Sequence, residues 1–193
     1  MNFIPIFGSK EKSELWSVCY PEDQIDNNLK DIYSILMDDL WIDIQYLLRF
    51  IKNEVKSEGY DATFWNGIST QELIDKILDE IDVFDTELFN ADSLSENTHN
   101  RRLDKIFIQL HQNIYSLNSL NDSHRKARPN ISKSIIRLYG IELSDKTIII
   151  TGGTLKLKLK MIGEHFDKEI RNLKRVQAFL NSQGIIDRNG LID

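Results

Sequence analysis

The sequence predicts an α+β fold: a small antiparallel sheet with a C-terminal helix and an enlarged, acidic helical layer on its N-terminal side. Three observations lead there. Apolar residues recur every three to four positions over long stretches of the first 117 residues, the period of a helical face. The run from Ile135 to Lys160 is β-branched or alternating and is broken by a short polar link and a Gly pair, as strands are. Charge is segregated: residues 1–100 hold 7 Lys plus Arg against 21 Asp plus Glu, a net of −14, whereas residues 101–193 hold 17 against 9, a net of +8. That asymmetry points to a polyanion-binding half, to an internal acidic mask, or to two ordinary solvated surfaces.

Taken in order, Leu15 to Tyr20 is short, aromatic and β-branched, and Pro21 stops it, so a first strand is expected at 15–20. From about Asp26, the spacing of Leu29, Tyr33, Leu36, Leu40, Ile44, Leu47 and Ile51 predicts one long helix or two abutting ones, with Asp38 and Asp39 as the break. Ser69 and Glu72 form a capping box flanked by Ile68 and Leu73, which starts a helix at Thr70. Its apolar stripe is Leu73, Ile77, Ile81, Phe84 and Leu88. Glu72, Asp75, Asp79, Glu80 and Asp82 read as its solvated face, since nothing in their spacing selects a cation.

Leu103, Phe107, Leu110, Ile114 and Leu117 predict another helix, followed by a loop over 118–134 rich in Asn, Ser, Asp and Pro. The loop exposes His124, Arg125, Lys126 and Arg128, which either contact phosphate or keep the loop in water. Strands follow at Ile135–Leu143 and Thr147–Thr151, joined as a hairpin through Ser144, Asp145 and Lys146. Gly152 and Gly153 permit a bulge, a sharp bend or the close approach of a ligand, but match neither a Walker loop nor a dinucleotide fingerprint. In a last strand, Thr154–Lys160, the leucines face inward and Lys156, Lys158 and Lys160 form a row about 13 Å long. Such a row either holds an anion or protects an edge strand. Glu164 to Ser182 reads as the closing helix, with Gly184 placed to end it.

At 193 residues the chain is expected to form a single domain, with residues 21–100 an acidic helical insertion and 101–193, together with strand 15–20, a basic core. The single cysteine, Cys19, excludes an intramolecular disulfide, and the four histidines lack metal-ligand spacing, so neither a metal nor another cofactor is expected. The start MNFIPIFGSK lacks the basic opening and cleavage site of a signal peptide, and no apolar run approaches the roughly 20 residues that cross a bilayer. A soluble, cytoplasmic protein without membrane contact is expected.

Arg137 and Tyr139 in RLY, Ile148 to Gly153 in IIITGG, and Lys156 after the turn carry a family likeness. In that order, with a terminal helix behind them, they resemble the RelE/HigB-like toxins of bacterial type II toxin–antitoxin modules. The chain is also similar to a group of bacterial proteins that pair FIPIFG and LWSV, here Phe3–Gly8 and Leu15–Val18, with an RLY and ITGG-xx-KL core. The resemblance implies a RelE-like sheet and a metal-independent endoribonuclease that attacks messenger RNA, commonly on the ribosome. It also implies a cognate antitoxin, often a helix-turn-helix protein. In such enzymes the 2′-hydroxyl of the RNA is the nucleophile, leaving the protein to move protons and stabilise phosphate charge. Arg137 would clamp phosphate, Lys156 or Lys158 would neutralise developing charge and His124 would carry the proton, making Arg137, Lys156 and His124 the expected catalytic residues. Arg125, Lys126, Arg128, Lys158 and Lys160 would bind nucleic acid. The chain departs from the pattern in two ways: no Tyr or His follows His165, and the helical section before Arg137 is long and acidic. The alternative is a non-catalytic interaction protein on the same fold, binding a protein partner or nucleic acid.

Overall fold

The computed structural model describes residues 1–23, 30–57, 60, 63–65, 67–93, 103–110, 122–158 and 164–192. It is an α+β structure built on one six-stranded sheet in the order β1-β2-β6-β5-β4-β3. The strands are β1 Asn2–Pro5, β2 Leu15–Cys19, β3 Ile108–Gln109, β4 His124–Ala127, β5 Ile136–Glu142 and β6 Ile148–Leu155. The sheet is mixed, not wholly antiparallel, because β2 runs parallel to β6, pairing Leu15 with Ile148 and Ser17 with Ile150. Every other neighbouring pair is antiparallel.

The helices before β3 are α1 Ile32–Ser34, continued by one π turn at Ile35–Leu40, then α2 Ile44–Lys56, α3 Thr70–Ser93 and α4 Leu103–Ile106. The helical stretch after Asp31 breaks at residues 41–43 and not at Asp38 and Asp39. Asp43 accepts hydrogen bonds from the Gln45 and Tyr46 amides and so caps a new helix. The capping box at α3 forms as expected: Ser69 N–H donates to Glu72 at 2.7 Å and Glu72 N–H to Ser69 Oγ at 3.2 Å.

Two of the acids on α3 are structural. Glu80, fully buried, accepts hydrogen bonds from the Ile135 and Ile136 amides and from Ser134 Oγ, and pairs with Lys76 at 3.0 Å. It therefore does not belong to the solvated face. Asp92, also buried, accepts from the Glu14 and Leu15 amides and from Ser13 Oγ. One helix thus satisfies the backbone at the starts of both β5 and β2, whose amides would otherwise be orphaned in the interior.

Three expectations fail where β pairing competes with helical or loop character. Helix α4 ends at Ile106, because Ile108 and Gln109 pair with Lys126 and Arg125; Ile114 and Leu117 of the expected helix lie outside the described residues. The expected loop contains strand β4, since residues 124–127 pair antiparallel with Ile141 to Leu138 of β5. The Gly pair does not separate two strands either. Strand β6 runs through it, and Thr151 is the extra residue of a bulge between the Tyr139–Gly152 and Gly140–Ile150 pairs.

After β6 come α5 Glu164–Gln183 and α6 Asn189–Ile192. Gly184, at φ 67°, ends α5, and the Ile185 amide returns to Leu180 O at 3.0 Å. Helix α5 and the earlier helices lie on opposite faces of the sheet. Adjacent strand residues point to opposite sides, and a Cβ on Gly152 would strike Glu169 of α5, whereas one on Gly153 would strike Trp41. Both faces are apolar: Leu15, Ile136, Leu138, Ile148, Ile149 and Ile150 are each sealed from solvent. Among the described residues no helix is long and apolar enough to cross a membrane.

Candidate functional site

Strand register gathers four cations on the α5 face of the sheet. Tyr139 belongs to that face, because its ring meets Phe166 of α5 at 6.1 Å. Arg137 shares its parity on β5, Lys126 pairs with Tyr139 from β4, and Arg128 lies two residues beyond Lys126. On the other side Thr154 pairs with Arg137, and the Lys156 amide donates to Ile135 O at 2.8 Å, placing Lys156 on the same face. The four cations thus come from three adjacent strands and their extensions, near the N-terminal end of α5.

They feel one another. The Lys156 ammonium is held below the usual lysine range, first by burial and then by Arg137, Lys126 and Arg128. Lys126 is lowered the same way, by burial and then by Arg137 and Arg128. Like charges clustered in this way, with Lys126, Arg137 and Lys156 partly buried and Arg128 exposed, raise the local positive potential, which favours an anion. Arg137 is held by its own network: its Nη1 donates to Ser134 Oγ at 2.9 Å and to Ile136 O at 2.5 Å, and Ser134 is in turn anchored on Glu80.

The other predicted residues lie elsewhere. His124 is on β4, not on an exposed loop; it is 1% exposed, and neither ring nitrogen has a hydrogen-bond partner among the described residues. Burial, helped by Lys174 and Arg125, pushes its pKa down to about 4, so it is neutral at pH 7. Arg125 points to the opposite face and grips Glu142 with two hydrogen bonds of 3.0 Å. The chain leaves the sheet after Leu155, and Lys158 forms an ion pair with Glu54 at 3.5 Å, so the expected row does not continue from Lys156 to Lys158. Lys160 lies outside the described residues.

A second feature adjoins the cations. Strand β2 covers β6 only as far as Ile150, and Tyr20 Oη donates to Thr151 O at 2.7 Å just beyond. Next to that point the edge of β6 borders a cavity of about 80 Å³, open on one side. Trp41, Tyr46 and Phe50 wall it from one face of the sheet, His165, Glu169 and Asn172 from the other, and Thr154 lies between. The Phe50 and His165 rings approach at 5.6 Å across the edge.

Glu169 is 5% exposed and its Oε2 has no hydrogen-bond partner among the described residues. Burial raises its carboxyl to about 8, against smaller lowering effects of Lys168 and of a hydrogen bond with Asn172, so it is mostly protonated at pH 7. Gly152 makes room for it: a Cβ there would sit 1.9 Å from Glu169 Oε2. A signal for Glu169 exists in the sequence, because it falls at an inward position of α5 beside Phe166, Ile170 and Leu173. Lys126 was visible only as one of several basic residues. Its place beside Arg137 depends on β4–β5 register.

Comparison with protein-family models, with curated proteins and with solved structures finds no match to this chain.

Proposed function

We propose that this protein is an RNA-directed toxin of the RelE/HigB-like kind, an endoribonuclease whose phosphate site is Lys126, Arg128, Arg137 and Lys156. The observation that supports this reading is the convergence of the four cations on one sheet face, with Arg137 fixed through Ser134. A rigid sheet can aim two guanidinium and two ammonium groups at a phosphate before it arrives, so little ordering is required when charge develops there. In this reading the sheet is RelE-like, and the helices within residues 21–100 form an acidic layer that enlarges it. A helix-turn-helix antitoxin is the expected partner and RNA, commonly on the ribosome, the substrate.

One observation favours a second reading, a non-catalytic RNA- or partner-binding protein on the same fold. His124, the expected proton carrier, is sealed inside the protein and neutral. The two readings separate in a single set of assays. Under the toxin reading, induction of the wild-type chain arrests growth, the purified protein cleaves single-stranded RNA but not its 2′-deoxy analogue, and Arg137→Ala or Lys156→Ala suppresses both effects. RNA binding without cleavage or arrest selects the second reading. Failure to bind RNA at low salt removes the RNA reading altogether.

A further inference from the structure

We infer that the cavity beside the β6 edge is a nucleobase pocket, which receives a single-ring base of the RNA strand whose phosphate sits on the cation cluster. The inference rests on the RNA reading and adds a second subsite to it.

The cavity and the cation cluster adjoin. Thr154 lines the cavity and is also the cross-strand partner of Arg137, so the two sites meet at one residue of β6. Paired strands are about 4.8 Å apart, which puts the cavity wall within one nucleotide of the guanidinium side of the sheet. Trp41, Tyr46, Phe50 and His165 supply ring surface, against which any base offers a π face. Glu169 and Asn172 add a carboxyl and an amide at the wall, with Glu169 Oε2 itself turned onto Gly152. A neutral carboxyl is both donor and acceptor, and an amide is as well, which matches the mixed donor and acceptor edge of a pyrimidine.

Strand geometry adds to this. Lys156 N–H bonds to Ile135 O, so by alternation the backbone groups of residues 154 and 152 face β5 while those of Gly153 and Leu155 face the cavity side. The edge of β6 can therefore meet a base as a strand would. Charge is consistent too. With Glu169 protonated, its carboxyl does not oppose a phosphate bound close by. At about 80 Å³ the cavity is smaller than a whole base, so a single ring would enter edge first and in part through the open side, and a fused purine fits less well still.

The test is calorimetric titration of the full chain with cytidine 5′-monophosphate, adenosine 5′-monophosphate and inorganic phosphate at low salt. Cytidine monophosphate should bind at least tenfold more tightly than inorganic phosphate and more tightly than the adenosine nucleotide. Asn172→Phe, which places a ring in the cavity from a partly exposed helix position, should erase that advantage, and His165→Ala, an exposed position, should reduce it several-fold. The inference is overturned if the nucleotides bind no better than phosphate, if the adenosine nucleotide binds best, or if neither substitution lowers the cytidine preference. In those cases phosphate binding that is lost in Arg137→Ala leaves the RNA reading standing. If nucleotides, phosphate and RNA all fail to bind, the RNA reading falls as well.

Discussion

Replacing Glu169 by Gln should make the protein more stable at neutral pH, and by an amount that depends on pH. In the fold, burial holds this carboxyl near 8, while in the unfolded chain it returns to its ordinary 4.5. Between those values the native state binds more protons than the unfolded state, so stability is complete below about 4.5 and falls as pH rises through the folded value. At about 1.4 kcal/mol per pH unit the whole window is worth about 5 kcal/mol, of which about 3 kcal/mol is already lost at pH 7. Glutamine keeps the shape and cannot ionise. Its stability relative to wild type should therefore climb by about 3 to 4 kcal/mol between pH 5 and pH 8, or roughly 10 °C in Tm for a chain of this size. Urea unfolding of both proteins at four pH values measures this, and taking the difference at each pH cancels other groups such as His124. A constant offset would reflect only the fit of the new amide; a difference that stays flat or declines with pH would refute the buried, protonated carboxyl.

Other perturbations test separate parts of the structure. Gly152→Ala should destabilise by about 1–3 kcal/mol, since its Cβ would stand 1.9 Å from Glu169 Oε2, and the cost should shrink in a Glu169→Ala background, as thermal unfolding of the double mutant would reveal. Glu80→Ala should cost about 3–5 kcal/mol in urea unfolding, because it strands the buried Ile135 and Ile136 amides and removes the carboxylate that faces Lys76. The His124 imidazole should show no titration by NMR between pH 5.5 and 8. Because its folded value lies near 4, below 6.5, the stability it contributes is complete above 6.5 and is lost as pH falls toward 4. In RNA binding, Arg137→Ala and Arg128→Ala should each weaken affinity across sequences and reduce the salt slope by about one, read from fluorescence anisotropy at several salt concentrations.

Helix termini and the hairpin were legible because their causes are local. The box of Ser69 and Glu72, the end of α5 at Gly184, and the link Ser144–Lys146 each depend on a few neighbouring residues. β3 and β4 were not legible. Residues 108–109 continue a helical spacing and residues 124–127 carry three basic or ionisable side chains in a row, so only partners far along the chain make them strands. Buried acids escaped for a related reason: Glu80 looks like its solvated neighbours until residues 134–136 bring backbone donors to it.

By itself, then, the sequence determined the α+β character, the capped start of α3 and the glycine end of α5, and a basic C-terminal half containing Arg137 and Lys156. All of these follow from short-range periodicity, capping chemistry and composition. Tertiary structure decided which charges act together. Register between β4, β5 and β6 set Lys126 and Arg128 beside Arg137 and Lys156 and turned Arg125 to the other face, while the departure of the chain from the sheet after Leu155 brought Lys158 to Glu54 of α2. It also buried His124 and placed Glu169 over Gly152. A one-residue shift reverses the face of every strand side chain, and burial alone changes whether an ionisable group carries its charge; neither is written in any local stretch of sequence.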